Sequence, residues 1–463
     1  MENLLESLAL EILSRLDDSE TVACCRMASK TFNSVFPGLQ FINLQWRLKW
    51  YLESRSRVSN SPNCSNLHQN SSRFTPSLKR VFLNLVSNLS ALESVRIGVE
   101  NPPLDVLNAD VEDDGDDLHI TDEGFVKEWL PRVSGALKLL SLSDFWVQSS
   151  RRRSEVLSLI SAHCQNLIEL ELKNAWLAVQ NMNAMPMLTS LTLELIRLDD
   201  KNLTEFNTCF PNLQVLNLID VRGLKMPMIH LLNLKTCHWT VTDSPSYICI
   251  IAPNLLTLRL ECRSPYAIYI EAPLCYNLHL ALEHLNGFAV KRFQKLKNVQ
   301  LECSNIRSLI RKLHRLETVE TLTLDIRAGG NSKFNLEVLF CTFPNITSLC
   351  FKPRVWSEFE VWCGDIGLKG VKRFCGYLSV IDPLMTFALV DCVLEECFNC
   401  VEISLLIHRG VPSNVSKHFI TKCMAQWPDL KWGWGIWEEG REDSWIPEEQ
   451  LPKTLVEEGS DSI

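Results

Sequence analysis

The chain has 463 residues, 46% of them hydrophobic and 22% charged, with a formal net charge of −9 at pH 7. That length predicts two to four ordinary domains or one long repeat array, and the composition excludes a chain that is disordered throughout. No apolar run approaches the ~18 residues of a membrane-spanning helix, and Glu2, Glu6 and Glu11 stand where a secretory leader would be basic and then apolar.

The first element is "LALEILSRL". Leu8, Ile12, Leu13 and Leu16 recur at helical spacing. Asp17 and Glu20 form a D-x-x-E start for a second helix carrying Val22, Cys25 and Ala28. Phe32, Val35 and Phe36 continue the apolar face until Pro37-Gly38 breaks it. Such a small helical unit cannot bury enough surface to stand alone.

A Ser/Asn-rich stretch from Ser54 to Ser77 follows and reads as a linker or long loop. Beyond it, fragments such as "LESVRI", "LKLLSL", "LIELEL", "LTSLTL", "LQVLNL", "LLTLRL" and "VETLTL" share an L-x-x-L-x-L pattern. Their last apolar positions run from Leu142 through Leu172, Leu193, Leu218, Trp239, Leu260, Leu280, Leu301 and Leu324 to Phe351, spaced 20 to 30 residues apart. An earlier copy ends at Ile97. That period is the mark of a leucine-rich repeat, in which the alternate leucines of each short strand point inward and must be covered by the next coil.

The residue between the two strand leucines is then expected on the concave face. In order these are Ser141, Glu171, Thr192, Asn217, His238, Arg259, His279, Gln300, Thr323 and Cys350, all polar except the last. Glu171, Thr192, Asn217, His238, Arg259, His279, Gln300 and Thr323 are the candidate target-binding residues, with Arg259 and the two histidines as anchors. The rim loops or the Trp-rich C-terminal region stand as the alternative binding surface.

Residues 105–123 carry nine carboxylates and no Lys or Arg, and residues 438–463 carry nine against Arg441 and Lys453. The remainder is net +7, and both acidic segments read as solvated. The repeat fades after Phe351, leaving a region with a Pro428-ended helix and a strand "LKWGWGIW". It is expected to cap the solenoid. No phosphate loop, nucleophile elbow, zinc helix or dinucleotide fingerprint occurs. Cys397-x-x-Cys400 lacks a matching second pair for zinc. The scattered cysteines, Cys262 and Cys303 among them, read as small buried hydrophobes in a reducing compartment. No enzyme activity, cofactor or metal is expected.

Leu8-Ala9-Leu10-Glu11-Ile12-Leu13, Leu16, and Met27-Ala28-Ser29-Lys30-Thr31-Phe32 together resemble the F-box motif, with Ala9 where that motif has proline and Phe32 where it often has tryptophan. The whole chain resembles plant F-box/leucine-rich-repeat proteins. The resemblance implies an α/β leucine-rich-repeat solenoid (a horseshoe) with a small all-α F-box and an atypical C-terminal cap. The layout is F-box helices at 1–50, linker at 51–77, irregular repeats at 78–360, cap at 361–437 and acidic tail at 438–463.

It further implies a substrate-recognition subunit of an SCF-type cullin–RING ubiquitin ligase. Leu8, Ala9, Ile12, Leu13, Leu16 and Met27 would meet a Skp-type adaptor, and the repeats would hold an unknown target protein. Nucleus or cytoplasm is the implied compartment, with no nucleic-acid, membrane or small-molecule partner. The alternative is a non-ligase repeat scaffold whose N-terminal helices only cap the solenoid.

Overall fold

A computed structural model describes residues 6–16, 19–46, 77–89, 91–99, 117–144, 147–241, 243–291, 293–327, 333–359, 370–397, 399–447 and 449. It divides into two compact units, Met1–Pro245 with Cys249–Pro253, and Ser246–Ile248 with Asn254–Ile463.

The first unit begins with three helices, α1 (Glu6–Ser14), α2 (Ser19–Ala28) and α3 (Lys30–Val35). Both α1 and α2 pack on α3, burying Ala9, Leu13, Val22 and Phe32. Asp17 of the expected capping pair lies outside the described residues. After the turn Phe36–Gly38 the chain enters a strand, β1 (Phe41–Trp46), which pairs in parallel with β2 (Ser94–Val99). β2 in turn pairs with β3 (Leu139–Ser143).

The repeat sheet therefore starts before the Ser/Asn-rich segment, which interrupts the first coil and does not separate the helices from the repeats. The signal was Leu39-x-x-Ile42-x-Leu44, another copy of the repeat spacing.

Beyond β3 the strands Glu169–Lys173, Ser190–Glu194, Val215–Ile219 and Thr236–Val241 add in sequence order, all parallel. The register sets Leu142 beside Leu172, then Leu193, Leu218 and Trp239, so each coil covers the apolar pair of its neighbour. All five are fully buried, and burial of such a side chain stabilises by about 1.5–3 kcal/mol. Gly98 is required where β2 meets β3, because a Cβ there would lie 2.5 Å from Ser143 Cβ.

Two further devices recur from coil to coil. Asn174, Leu195 and Asp220, each directly after the strand of its coil, adopt left-handed backbone with φ of 53°, 55° and 53°. Before the strands, Asn166, Asn212 and Asn233 donate Nδ2 hydrogen bonds to the carbonyls of Gly135, Pro186 and Pro211 in the preceding coil, at 2.9, 2.9 and 3.0 Å. Asn345 does the same to Glu317 in the second unit at 2.7 Å. At Phe210-Pro211-Asn212 and Phe343-Pro344-Asn345 proline thus ends one segment while asparagine ties coils together.

The expectation of a solvated acidic loop fails at its C-terminal end. Asp117, Leu118, His119, Ile120 and Thr121 are all buried. Asp117 accepts the backbone N–H groups of Leu78 and Lys79 at 2.9 and 3.1 Å, and the Ser77 hydroxyl, so it caps the helix Leu78–Val86. Asp144 accepts from the Thr121 N–H and hydroxyl at 3.1 and 2.9 Å and from Ser149 Oγ at 2.6 Å. Carboxylates enter a core only when their lone pairs are used in this way. Residues 105–116 lie outside the described residues.

The second unit stacks Thr257–Cys262, Asn277–Leu282, Asn298–Cys303, Thr321–Asp325, Ser348–Phe351, Arg373–Leu378, Glu402–His408 and Lys431–Trp437 in one parallel order. Its last three rungs occupy the region expected as a cap, so the sheet continues there with changed side chains. Two long helices, Pro383–Glu396 and Ser413–Gln426, cross over between them. Trp434 stacks on Trp432, with ring centroids 5.2 Å apart, and meets Phe419 of the second helix edge-on. A short antiparallel strand, Ser444–Trp445, closes this edge.

Coil length decides what lies behind each strand. The coils between Leu218 and Trp239 and between Leu260 and Leu280 span 21 and 20 residues and return through extended segments, Met228–His230 and Ala267–Glu271. Coils of 25, 23 and 27 residues, ending at Leu218, Leu324 and Phe351, return through helices. A helix advances about 1.5 Å per residue against about 3.3 Å for a strand, so only the longer coils can afford one.

Candidate partner-binding faces

The helical unit presents an incomplete apolar face. Leu8 and Ile12, four residues apart on α1, are 50% and 37% exposed, and Met27 at the end of α2 is 82% exposed. Leu16 is half-buried. Ala9 and Leu13 are fully buried, which removes them from the expected docking set. They face α3 and hold the unit together. Ala9 is the fourth residue of α1, so alanine allows the helix to start a turn earlier than a proline would permit.

The same unit is tied to the first coil, α2 packing on β1. Ser19 Oγ accepts the backbone N–H of Asn43 in β1 at 3.1 Å. Leu39, 2% exposed, donates its N–H to the Phe36 carbonyl at 2.9 Å.

The outward row falls in register as the alternation requires. In the first unit, Asn43, Arg96, Ser141, Glu171, Thr192, Asn217 and His238 are successive register partners. Asn43 and Arg96 extend the expected row. Ser141 Oγ donates to Glu171 at 2.9 Å, and Asn217 Nδ2 donates to Thr192 Oγ1 at 3.0 Å. Lys173 bridges Glu171 and Glu194 at 3.2 and 2.9 Å. Burial works against the Lys173 ammonium, yet the hydrogen bonds and charges of these two carboxylates outweigh it and raise its pKa.

In the second unit the row runs Arg259, His279, Gln300, Thr323, Cys350, Cys375 and Ser404. Arg259 is paired with Glu261 on its own strand, and Arg327 donates to Glu302 at 2.8 Å. His279 is held below the usual histidine range by burial and then by the Arg259 charge, with Glu261 and Glu302 opposing. Burial, followed by the charge of Glu302, raises the Asp325 carboxyl, although the Ile326 N–H and Lys352 oppose that. Arg259, paired with Glu261, and His238, whose Nε2 lies 3.3 Å from Thr240 Oγ1, are already engaged with neighbours that a partner would have to displace, whereas the buried His279 Nε2 has no hydrogen-bond partner among the described residues.

At the C-terminal rungs the outward side chains change character. Lys352 Nζ sits 3.6 Å from the centroid of the Tyr377 ring, whose hydroxyl donates to Asp443 at 2.7 Å. The Cys397-x-x-Cys400 pair goes into packing. Cys397 and Cys400 are buried, and burial pushes the Cys397 thiol well up. The Cys262 and Cys423 thiols are pushed up to about 12 by the same cause.

Comparison with known proteins decides the family. The chain is 39% identical over 461 residues to the F-box/LRR-repeat protein At4g29420 of Arabidopsis thaliana, covering 96% of this chain and all of that protein. The chain belongs to the plant F-box/leucine-rich-repeat family. No family model matches it. As a member of the F-box/LRR family it carries the family's repeat solenoid, with the N-terminal helices in the F-box position.

Proposed function

We propose that this F-box/LRR protein is the target-recognition subunit of an SCF-type cullin–RING ubiquitin ligase, a recruiter and not an enzyme. The observation that carries this reading is the exposed set Leu8, Ile12 and Met27 on a helical unit whose Ala9, Leu13, Val22 and Phe32 are already buried. Large apolar side chains left in water on a small unit mark a surface that a partner covers. A Skp-type adaptor is the partner implied by the family, and the nucleus or cytoplasm would be its compartment. The outward rows of the repeat sheet would hold the target and raise its effective concentration at the ligase.

The direct junction of the helices to β1 favours a second role, capping the first coil. One face can cap while the other docks, so the two roles are compatible.

The test is co-expression of the full chain with a Skp-type adaptor, followed by size-exclusion chromatography and a binding titration. Wild-type protein is expected to co-elute with adaptor. Leu8→Asp with Ile12→Asp is expected to weaken binding by at least about a hundredfold, since each substitution removes an apolar anchor and introduces a charge to desolvate. Circular dichroism should be unchanged, because both positions are exposed. Folded wild-type protein that does not bind adaptor at micromolar concentrations would overturn the ligase reading and leave the cap.

A further inference from the structure

Two thiols face each other in the outward row of the second unit. Cys350, in the strand Ser348–Phe351, is the register partner of Cys375, in the strand Arg373–Leu378. Both are half-buried, which separates them from the fully inward cysteines such as Cys262 and Cys303. The two thiols are close enough that each shifts the titration of the other. The sequence alone placed Cys350 as the one apolar interruption of a polar row; the structure supplies its partner.

The strand geometry fixes what such a pair can do. Parallel strands lie about 4.8 Å apart, and side chains at a register pair leave the sheet in the same direction. A Cα separation of that size lies within the range disulfides span, whereas the Cβ atoms are about 1 Å further apart than in a relaxed bridge. A bond between them can therefore form, and the strain it holds makes it easy to reduce again. A structural disulfide would be relaxed and resistant.

The pair is also chemically asymmetric. The neighbouring Cys350 thiol lowers the Cys375 thiol against the opposing effect of burial, and the Lys352 ammonium adds to the lowering. The same proximity, with burial, raises Cys350. Lys352 is kept beside them by its contact with the Tyr377 ring. One sulfur is thus the readier thiolate and the other a neighbouring thiol able to resolve it.

We propose that Cys350 and Cys375 form a redox modification site on the outward face of the second unit, closed to a reversible disulfide by hydrogen peroxide. The Cys375 thiolate attacks one peroxide oxygen, the O–O bond breaks, and the departing hydroxide takes up a proton to leave as water. Cys350 sulfur then attacks the resulting sulfenic sulfur, loses its proton, and expels a second water as the S–S bond forms. Two thiols are oxidised by two electrons and one peroxide is reduced to two waters. The bridge pulls two strands together and removes both S–H groups from the row.

The experiment uses the full chain, fully reduced, titrated with hydrogen peroxide, blocked with N-ethylmaleimide and mapped by peptide mass spectrometry. The expected product is a Cys350–Cys375 link, two hydrogens lighter than the dithiol, at concentrations that leave Cys262 and Cys303 reduced, and reversed by dithiothreitol. Cys350→Ser is expected to strand Cys375 as a sulfenic acid that dimedone captures, and Cys375→Ser to leave Cys350 unoxidised. Wild-type protein with phenylarsine oxide gives a second reading that needs no variant, since one arsenic bridging both sulfurs should protect both from maleimide. Full maleimide labelling of both cysteines after peroxide and after phenylarsine oxide overturns the proposal, as does a link from either cysteine to a different partner.

Discussion

Replacing Asp117 by alanine tests whether a single buried carboxylate organises the first coils. Asp117 is 3% exposed and accepts from Leu78 N–H at 2.9 Å, Lys79 N–H at 3.1 Å and the Ser77 hydroxyl. The helix it caps, Leu78–Val86, buries Leu78, Phe82 and Val86, and Phe82 meets Trp129 edge-on at 5.0 Å. Hydrogen bonds to a charged group contribute about 1.5–3 kcal/mol each. Lys79 and Ser77 are half-buried and regain water after truncation, whereas the Leu78 N–H belongs to a residue with no exposure. Loss of the favourable charge at the helix N-terminus adds about 0.5–1 kcal/mol. The expected local cost is therefore about 3–4 kcal/mol.

A stacked array need not unfold in one step, so a single melting temperature is the wrong measure. Hydrogen exchange is the right one. Amides of Leu78–Val86 should exchange two to three orders of magnitude faster in Asp117→Ala, at about 1.4 kcal/mol per tenfold. Those of Thr321–Asp325, in the other unit, should be unchanged. Asp117→Asn keeps an acceptor oxygen without the charge and should fall between the two. Exchange within threefold of wild type in the alanine variant would refute the capping argument.

Two further perturbations follow from backbone strain and from charge burial. Leu195 holds φ 55° where the neighbouring coils use Asn174 and Asp220, and it is 36% exposed. Leu195→Asn should slow hydrogen exchange of the adjoining strand Ser190–Glu194 about fivefold, worth about 1 kcal/mol, because asparagine tolerates the left-handed region and little burial is lost. Asp325, whose folded pKa is raised by burial and then by Glu302, costs stability once ionised. That cost is absent below the unfolded carboxyl pKa and sets in as pH rises through the folded value. Asp325→Asn should therefore be the more stable protein at pH 7. Denaturant titrations should show the gap closing as pH falls toward 4, with the Ile326 N–H bond to the side-chain oxygen retained.

What was legible in the sequence, and what was not, follows from how each rung is built. Rungs with leucine at both inward positions, such as Leu170 with Leu172, announce themselves because their neighbours repeat the same spacing. The C-terminal rungs keep the apolar alternation but replace leucine by Phe374 and Gly376, Ile403 and Leu405, then Trp432 and Trp434. A leucine template loses them, although the packing requirement is the same. β1 was hidden differently, by an insertion that parts it from β2 in sequence while the register keeps them adjacent. The burial of Asp117 was not legible at all, since its partners lie 38 to 40 residues away and charge composition alone suggests solvent. Which of the expected docking residues are exposed was half legible. Helical periodicity finds an apolar face but does not say which leucines turn inward, and α3 claims Ala9 and Leu13.

Between Gly38 and β1 stand only Leu39 and Gln40, and Leu39 is packed and hydrogen-bonded. There is no slack there for a swivel. Whatever seats on Leu8 and Ile12 is held at a fixed bearing to the first coils, like a handle cast in one piece with its blade. Under the recruiter reading proposed above, a target held on the first coils could not swivel at this junction to suit the adaptor. Which of its lysines came within reach would then depend on the pose in which it is gripped.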